Sequence, residues 1–172
     1  MSWFIVDVEA DGNIIGEHSM VCFGAVKLSP DLDKIFYGQT KPISEIYQPE
    51  ALAISGFKRE EHEKFDLPYL TMSSFANWLI LHSKGTPVLL SDNNGFDAAW
   101  INYYFMMFHG SNPFGWTSRR IGDLFCGSEH DLHYKWKQHR ITEATHNPVD
   151  DAKGNAEALL YWFNKYNIKL PK

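Results

Sequence analysis

The stretch Trp3-Phe4-Ile5-Val6-Asp7-Val8-Glu9 decides how the rest of the chain is read. Trp3 to Val8 is a nearly continuous apolar run, the pattern of a central strand buried on both faces. Into it are set two acids, Asp7 and Glu9, two residues apart and so on one face of the strand. A carboxylate is costly to bury without a partner. The pair is therefore either solvated at the strand's end or able to bridge a divalent cation.

Outward from this strand, Ser19 to Leu28 and Lys34 to Thr40 alternate as two further strands, joined by the turn signal Ser29-Pro30-Asp31. Three successive strands predict an antiparallel meander. Pro49 to Ser55 and Lys58 to Lys64 read as short helices around Gly56. Thr71 to Ser83 carries Phe75, Trp78, Leu79 and His82 at helical spacing, and Pro87 to Leu90 reads as a buried strand. From Phe96 to Phe108 apolar residues recur at steps of three and four, an amphipathic helix. Arg119 to Cys126 is predicted helical, and Asp131 to His139 is mixed. A last helix starts near Pro148, a residue favoured at the first helical position, and presents Ala152, Ala156, Leu159, Leu160 and Phe163 on one face. With no repeat, low-complexity segment or linker, the expectation is one domain over 1–172, of α/β class, with a central mixed β-sheet flanked by α-helices.

Bulk properties narrow the function. The 172 residues suffice for a sizeable core, and 44% hydrophobic with 22% charged residues is ordinary for a globular protein. Cys22 and Cys126 have no metal-type spacing and read as buried or free thiols rather than a secreted disulfide framework. The first residues lack the basic start of a signal peptide, and their apolar run is too short to span a membrane, so a cytoplasmic location is expected. A formal charge of -5 argues against tight binding to long duplexes, though not against action at a chain end where metal ions face the phosphate.

Three further residues complete a set. Asp97 follows Asp92-Asn93-Asn94-Gly95-Phe96 at the start of a helix, and Asp151 falls in the first turn of the last helix, preceded by His146. Taken singly, each aspartate is explained by the helix dipole, worth about 0.3–1 kcal/mol, and His146 by an exposed surface. Taken together, four carboxylates and an imidazole are what a two-metal phosphodiesterase requires: oxygens to hold two cations and a base to activate water.

The order Asp-x-Glu, Asn-x-x-Phe-Asp, His-x-x-x-x-Asp resembles the three exonuclease motifs of the DEDDh (DnaQ-like) family of 3′–5′ exonucleases, and the stretch from Asp7 through Val26 is most similar to its ribonuclease T-like phage and bacterial members. The five-residue step from His146 to Asp151 distinguishes this branch from one that places a tyrosine one residue nearer the aspartate. The resemblance implies a ribonuclease H-like fold and two Mg²⁺ or Mn²⁺ ions, which oxygen ligands suit better than zinc. It implies Asp7, Glu9, Asp97 and Asp151 as metal ligands and His146 as the base. It also implies substrate contacts from Ala10, Asp11 and Gly12, from Ile54 and Phe57 as base wedges with core packing as the rival, and from Asn93 and Phe96. The implied reaction releases nucleoside 5′-monophosphates from single-stranded RNA or DNA 3′ ends, RNA slightly favoured, and leaves a homodimer open. Two departures are Asp11-Gly12 where many members have Thr-Gly, and Asp92-Asn93-Asn94 where His-Asn-Ala is usual. The base acts in its neutral form, so activity is expected to climb with pH as an imidazole gives up its proton.

Rival readings are a nucleic-acid-binding module of the same fold with little catalysis, an HD-type phosphohydrolase suggested by His130-Asp131, and a zinc cluster of His130, His133 and His139 without a closed ligand set. The run from His133 to Arg140 interleaves basic and aromatic residues and reads either as a guide for single strands or as surface with a few buried aromatics.

Overall fold

The computed structural model describes residues 1–171, built on a five-stranded mixed sheet in the order β3-β2-β1-β4-β5. The strands are β1 (Ser2–Ala10), β2 (Met20–Lys27), β3 (Ile35–Gln39), β4 (Pro87–Ser91) and β5 (Ser118–Arg120). β1, β2 and β3 form the expected antiparallel meander, while β4 and β5 run parallel to β1. The helices are α1 (Pro49–Ile54), α2 (Arg59–His62), α3 (Pro68–His82), α4 (Asp97–Tyr104), α5 (Ile121–Glu129) and α6 (Pro148–Lys165).

Alternation along β1 sorts the core into two layers. Phe4, Val6, Val8 and Ala10 face one cluster with α3, α4 and the turn after α4. That cluster is strongly aromatic: Phe75 lies 4.8 Å from Phe23, 4.9 Å from Phe36 and 5.4 Å from Phe105 between ring centroids. Such pairs add about 0.5–1.5 kcal/mol each beyond their buried area. Ile5 points the other way, into a cluster with Phe125, Trp136, Ala152, Ala156 and Phe163 under α5 and α6. Asp7 and Glu9 share the parity of Ile5, so they continue the α6-facing side where the apolar residues stop.

Two elements differ from the sequence reading. Arg119 and Arg120 belong to the edge strand β5, and the helix begins only at Ile121; three polar residues are too few for alternation to be legible. The helix predicted over 96–108 is α-helical only to Tyr104 and closes in a π-helical turn, Phe105–His109, ended by Gly110 at φ 81°. Positive φ suits glycine there, and a wider turn keeps the same apolar face toward the core. Among the described residues no helix is long and apolar enough to cross a membrane.

Candidate active site

The site forms where β1 outruns its parallel neighbour. Pairing of β1 with β4 ends at Ile5 opposite Leu90, leaving Asp7 and Glu9 beyond the carboxyl end of β4, the usual place for a binding crevice in an open sheet. A register shift between Glu9, opposite Cys22, and Ala10, opposite Met20, interrupts the ladder with β2 beside the acids. Past Ile5 the strand needs new hydrogen-bond partners, and one comes from the next motif: the Val8 N–H donates to Asp97 Oδ1 at 3.1 Å. The other oxygen of Asp97 accepts the Asn93 N–H at 3.2 Å. Asp97, 4% exposed, is thus locked between the strand and the turn that leads into α4.

The last two members arrive on α6. Asn147 caps this helix by accepting the Val149 N–H at 3.0 Å, with Pro148 in the first helical position. The helix can sit against the sheet because residue 24, the β2 partner of Asp7, is glycine. A Cβ there would run into the backbone of Pro148 and Val149. Gly24 therefore sets how near the first turn of α6, and with it Asp151, comes to Asp7. Asp151 Oδ2 accepts the His146 N–H at 3.0 Å, supporting a backbone at φ 59° that a non-glycine residue adopts only at some cost. The imidazole lies in solvent, 68% exposed, with Nδ1 3.9 Å from Glu9 Oε1.

The electrostatics are those of an anion cluster short of counter-charge. Burial, then repulsion from Asp97, Asp151 and Glu9, pushes the Asp7 carboxyl well above the ordinary carboxylate range. Burial, then repulsion from Asp151 and Asp97, raises Glu9 to about 7. Burial raises Asp97 to about 6 against the opposing pull of its backbone donors. Such a set fits divalent cations, which would neutralise carboxylates that are otherwise driven toward protonation. Donor atoms of Glu9, His146 and Asp151 all lie within 4.8 Å of one another, the only such metal-competent group among the described residues. His130, His133 and His139 form none; His130 is the left-handed cap of α5, and His139 is packed on Tyr161 with ring centroids 3.7 Å apart.

The expected substrate-contact residues divide. Ile54, at the end of α1, is 52% exposed, and Asn93 is exposed with Phe96 half-buried beside Asp97. Ala10 is buried in the aromatic cluster. Asp11 faces inward: its carboxylate is fully buried, accepts the Ser19 N–H at 2.6 Å and pairs with Arg59 at 3.1 Å, so its side chain is not offered to a nucleotide. Gly12 is filled by the His18 ring, which leaves no room for a Cβ. Phe57 packs on Phe65 at 4.9 Å in a small cluster with Val21, Cys22 and Leu52, the core-packing alternative. In the 133–140 run, Trp136 is buried and Tyr134 and His139 stack around Phe125, so these aromatics are occupied by packing. Sequence reasoning missed Gly24 and Arg140, which pairs with Asp151 at 2.7 Å. Neither carries a local signal; both are defined by what lies across the fold.

The chain is 34% identical over 158 residues to the 3′–5′ DNA exonuclease Cap18 of Escherichia coli, a match spanning 90% of this chain and 82% of that protein. It is an enzyme of the 3′–5′ exonuclease class. The chain belongs to the DEDDh family, whose members depend on divalent metal ions. No family model matches. Among solved structures, the nuclease domain of 3′hExo, a DEDDh member bound to rAMP, superposes with a TM-score of 0.79 at 17% identity, covering 99% of this chain and 96% of that one. Escherichia coli exonuclease I in complex with a dT13 oligonucleotide gives 0.70 at 15% identity, covering 95% of this chain and 41% of that one. The fold is ribonuclease H-like.

Proposed function

We propose that this chain, acting as a single domain in the cytoplasm, hydrolyses single-stranded nucleic acid from the 3′ end and releases nucleoside 5′-monophosphates. The observation that carries the reading is the convergence of Asp7, Glu9, Asp97, Asp151 and His146 on one crevice, with the carboxyls of Asp7 and Glu9 raised by burial and repulsion from neighbouring acids and that of Asp97 raised by burial. Asp7, Glu9, Asp97 and Asp151 would hold two Mg²⁺ or Mn²⁺ ions, which supply electrostatic stabilisation of the attacking and leaving oxygens. His146, in its neutral form, takes the proton from the attacking water and passes it to solvent, into which its ring already projects. Asp97 contributes rigidity as well as charge, because both its oxygens are tied to backbone N–H groups. Ile54, Asn93 and Phe96 would contact the terminal nucleotide.

The ribonuclease T-like pattern gave RNA a slight advantage. Similarity to a DNA exonuclease over most of the chain moves the proposal to DNA as the preferred strand. The test is a time course on matched 5′-labelled RNA and DNA oligomers with Mg²⁺, Mn²⁺ or EDTA, beside Asp7→Ala and His146→Ala. A metal-dependent one-nucleotide ladder that both substitutions abolish is expected, faster on DNA. Binding without a ladder on either strand would instead favour a binding module.

A further inference from the structure

Among the described residues, Arg140 is the only lysine or arginine in an ion pair with Asp7, Glu9, Asp97 or Asp151. It is no loose surface cation. Its side chain is 9% exposed, its Nη2 donates to Asp151 Oδ1 at 2.7 Å, and its Nε donates to the Thr142 carbonyl at 3.3 Å. The niche it occupies exists because residue 154 is glycine. A Cβ at Gly154 would fall 2.7 Å from Nη2 and 2.7 Å from the Thr142 carbonyl oxygen. Gly154 stands three residues beyond Asp151 on α6, on the same helix face. Glycine weakens a helix interior, so its presence here marks a place where the guanidinium must cross the helix.

Arg140 also begins the segment that ends at His146. Asp151 uses its two oxygens on the two ends of that segment: Oδ1 accepts from Arg140, and Oδ2 accepts the His146 N–H at 3.0 Å. Between those ends, Glu157 grips the chain. One of its oxygens accepts the N–H groups of Ile141 and Thr142 at 2.9 and 2.7 Å, and the other accepts the Thr142 hydroxyl at 2.9 Å. The segment 140–146 is therefore strapped to α6, with one carboxylate closing it.

We propose that Arg140 is a positioning residue: by holding Asp151 Oδ1 through a guanidinium fixed at Thr142, it orients that carboxylate so that Oδ2 anchors His146 beside Glu9. This rests on the roles given above to His146 and Asp151. The planar fork is essential, because Lys cannot reach both Thr142 and Asp151 with its single terminal nitrogen.

The experiment compares wild type with Arg140→Lys and Arg140→Ala. Amide exchange is followed by mass spectrometry on the metal-free protein, and steady-state kinetics are measured at saturating metal. In Arg140→Ala, exchange at the His146 amide should accelerate at least about 10-fold while amides of β1 keep their protection, the sign of a lost local tie rather than a lost fold. Turnover should fall about 10–100-fold with KM for the oligomer little changed, Arg140→Lys should recover only a minor part, and added methylguanidinium should partly restore Arg140→Ala. Unchanged exchange at His146 in Arg140→Ala would overturn the proposal. So would full activity in Arg140→Lys, which would reduce Arg140 to a counter-charge. If no variant and no wild type turns over but exchange accelerates as stated, the tie stands and the exonuclease assignment of this site falls. If Arg140→Ala does not fold, Arg140→Lys, which keeps the charge in the niche, carries the same exchange and kinetic comparison.

Discussion

Asp7 and Asp11 lie four residues apart and burial raises both carboxyls, yet the charged and hydrogen-bonding neighbours of the two act with opposite sign. Around Asp11, burial raises the carboxyl, but the Ser19 N–H and Arg59 pull it down. Around Asp7, burial raises it and three further acids raise it again, with only Arg140 in opposition. One carboxylate is a structural cross-link that ties the turn after β1 to α2. The other is held in an arrangement that folding alone gives no reason to assemble. Unfavourable company of this kind marks a functional site more reliably than burial does.

The contrast can be broken at either residue. Asp7→Asn should lower the exonuclease rate by on the order of 10²–10³-fold, as for loss of one group stabilising developing charge. It should at the same time raise the Tm of the metal-free protein, because it removes repulsion. A lower Tm with the activity retained would invert the argument. Asp11→Ala should do the opposite, costing about 1–3 kcal/mol of stability by leaving the buried Ser19 N–H without its acceptor and Arg59, still held by Glu63 and the Ser44 carbonyl, without its innermost partner, with turnover at low temperature nearly intact. Denaturant unfolding beside an activity assay separates the two.

Gly24→Ala sharpens the comparison by moving α6 without touching a charge. The added methyl meets the Pro148 backbone, so a cost of about 1–3 kcal/mol is expected. Displacement of Asp151 relative to Asp7 should cut turnover by up to about 10²-fold. Wild-type turnover in this variant would show that the helix can shift at no cost to the site.

A smaller effect is predicted for pH. Glu9 at about 7 and Asp97 at about 6 lie above the values such groups have in an unfolded chain. Between roughly pH 4.5 and 7 the folded state then binds more protons than the unfolded one, so stability of the metal-free protein falls as pH rises through this window. Thermal melts in EDTA should show a decline of several degrees, and millimolar Mg²⁺ should remove it by binding the ionised cluster. A Tm that rises over the same range without metal would contradict the raised carboxyls. The least effect is expected at Ile54, whose replacement by Ala should raise KM by about 2–5-fold and leave turnover unchanged, since packing one exposed aliphatic side chain against a base contributes about 1 kcal/mol.

Much of this was legible in the sequence, for identifiable reasons. The apolar run of β1, the alternation of β2 and β3, and the Pro148 start of α6 are local patterns, and each formed near its expected bounds. The five residues of the proposed acid and imidazole set stand out in the sequence because they fall in ordered motifs on a strand and at two helix starts. What stayed hidden depends on contacts distant in sequence. Asp11 carried the same local signal as a residue facing the crevice, and only Arg59, 48 residues later, shows that it turns inward. Gly24 and Gly154 declare themselves only by what a methyl would strike. The edge strand β5 is too short for its period to be read, and Arg140 is explained by a helix beginning eight residues further on.

The way His146 is held has a consequence for turnover. The protein grips this residue by its main chain, through the bond to Asp151, and leaves the ring in water. In its proposed role as the base, His146 is thus moored at the root and open at the tip. The proton it collects can leave to bulk solvent without a side-chain relay and without any part of the site letting go. Under the proposed mechanism, no recharging step inside the protein would then separate one cut from the next.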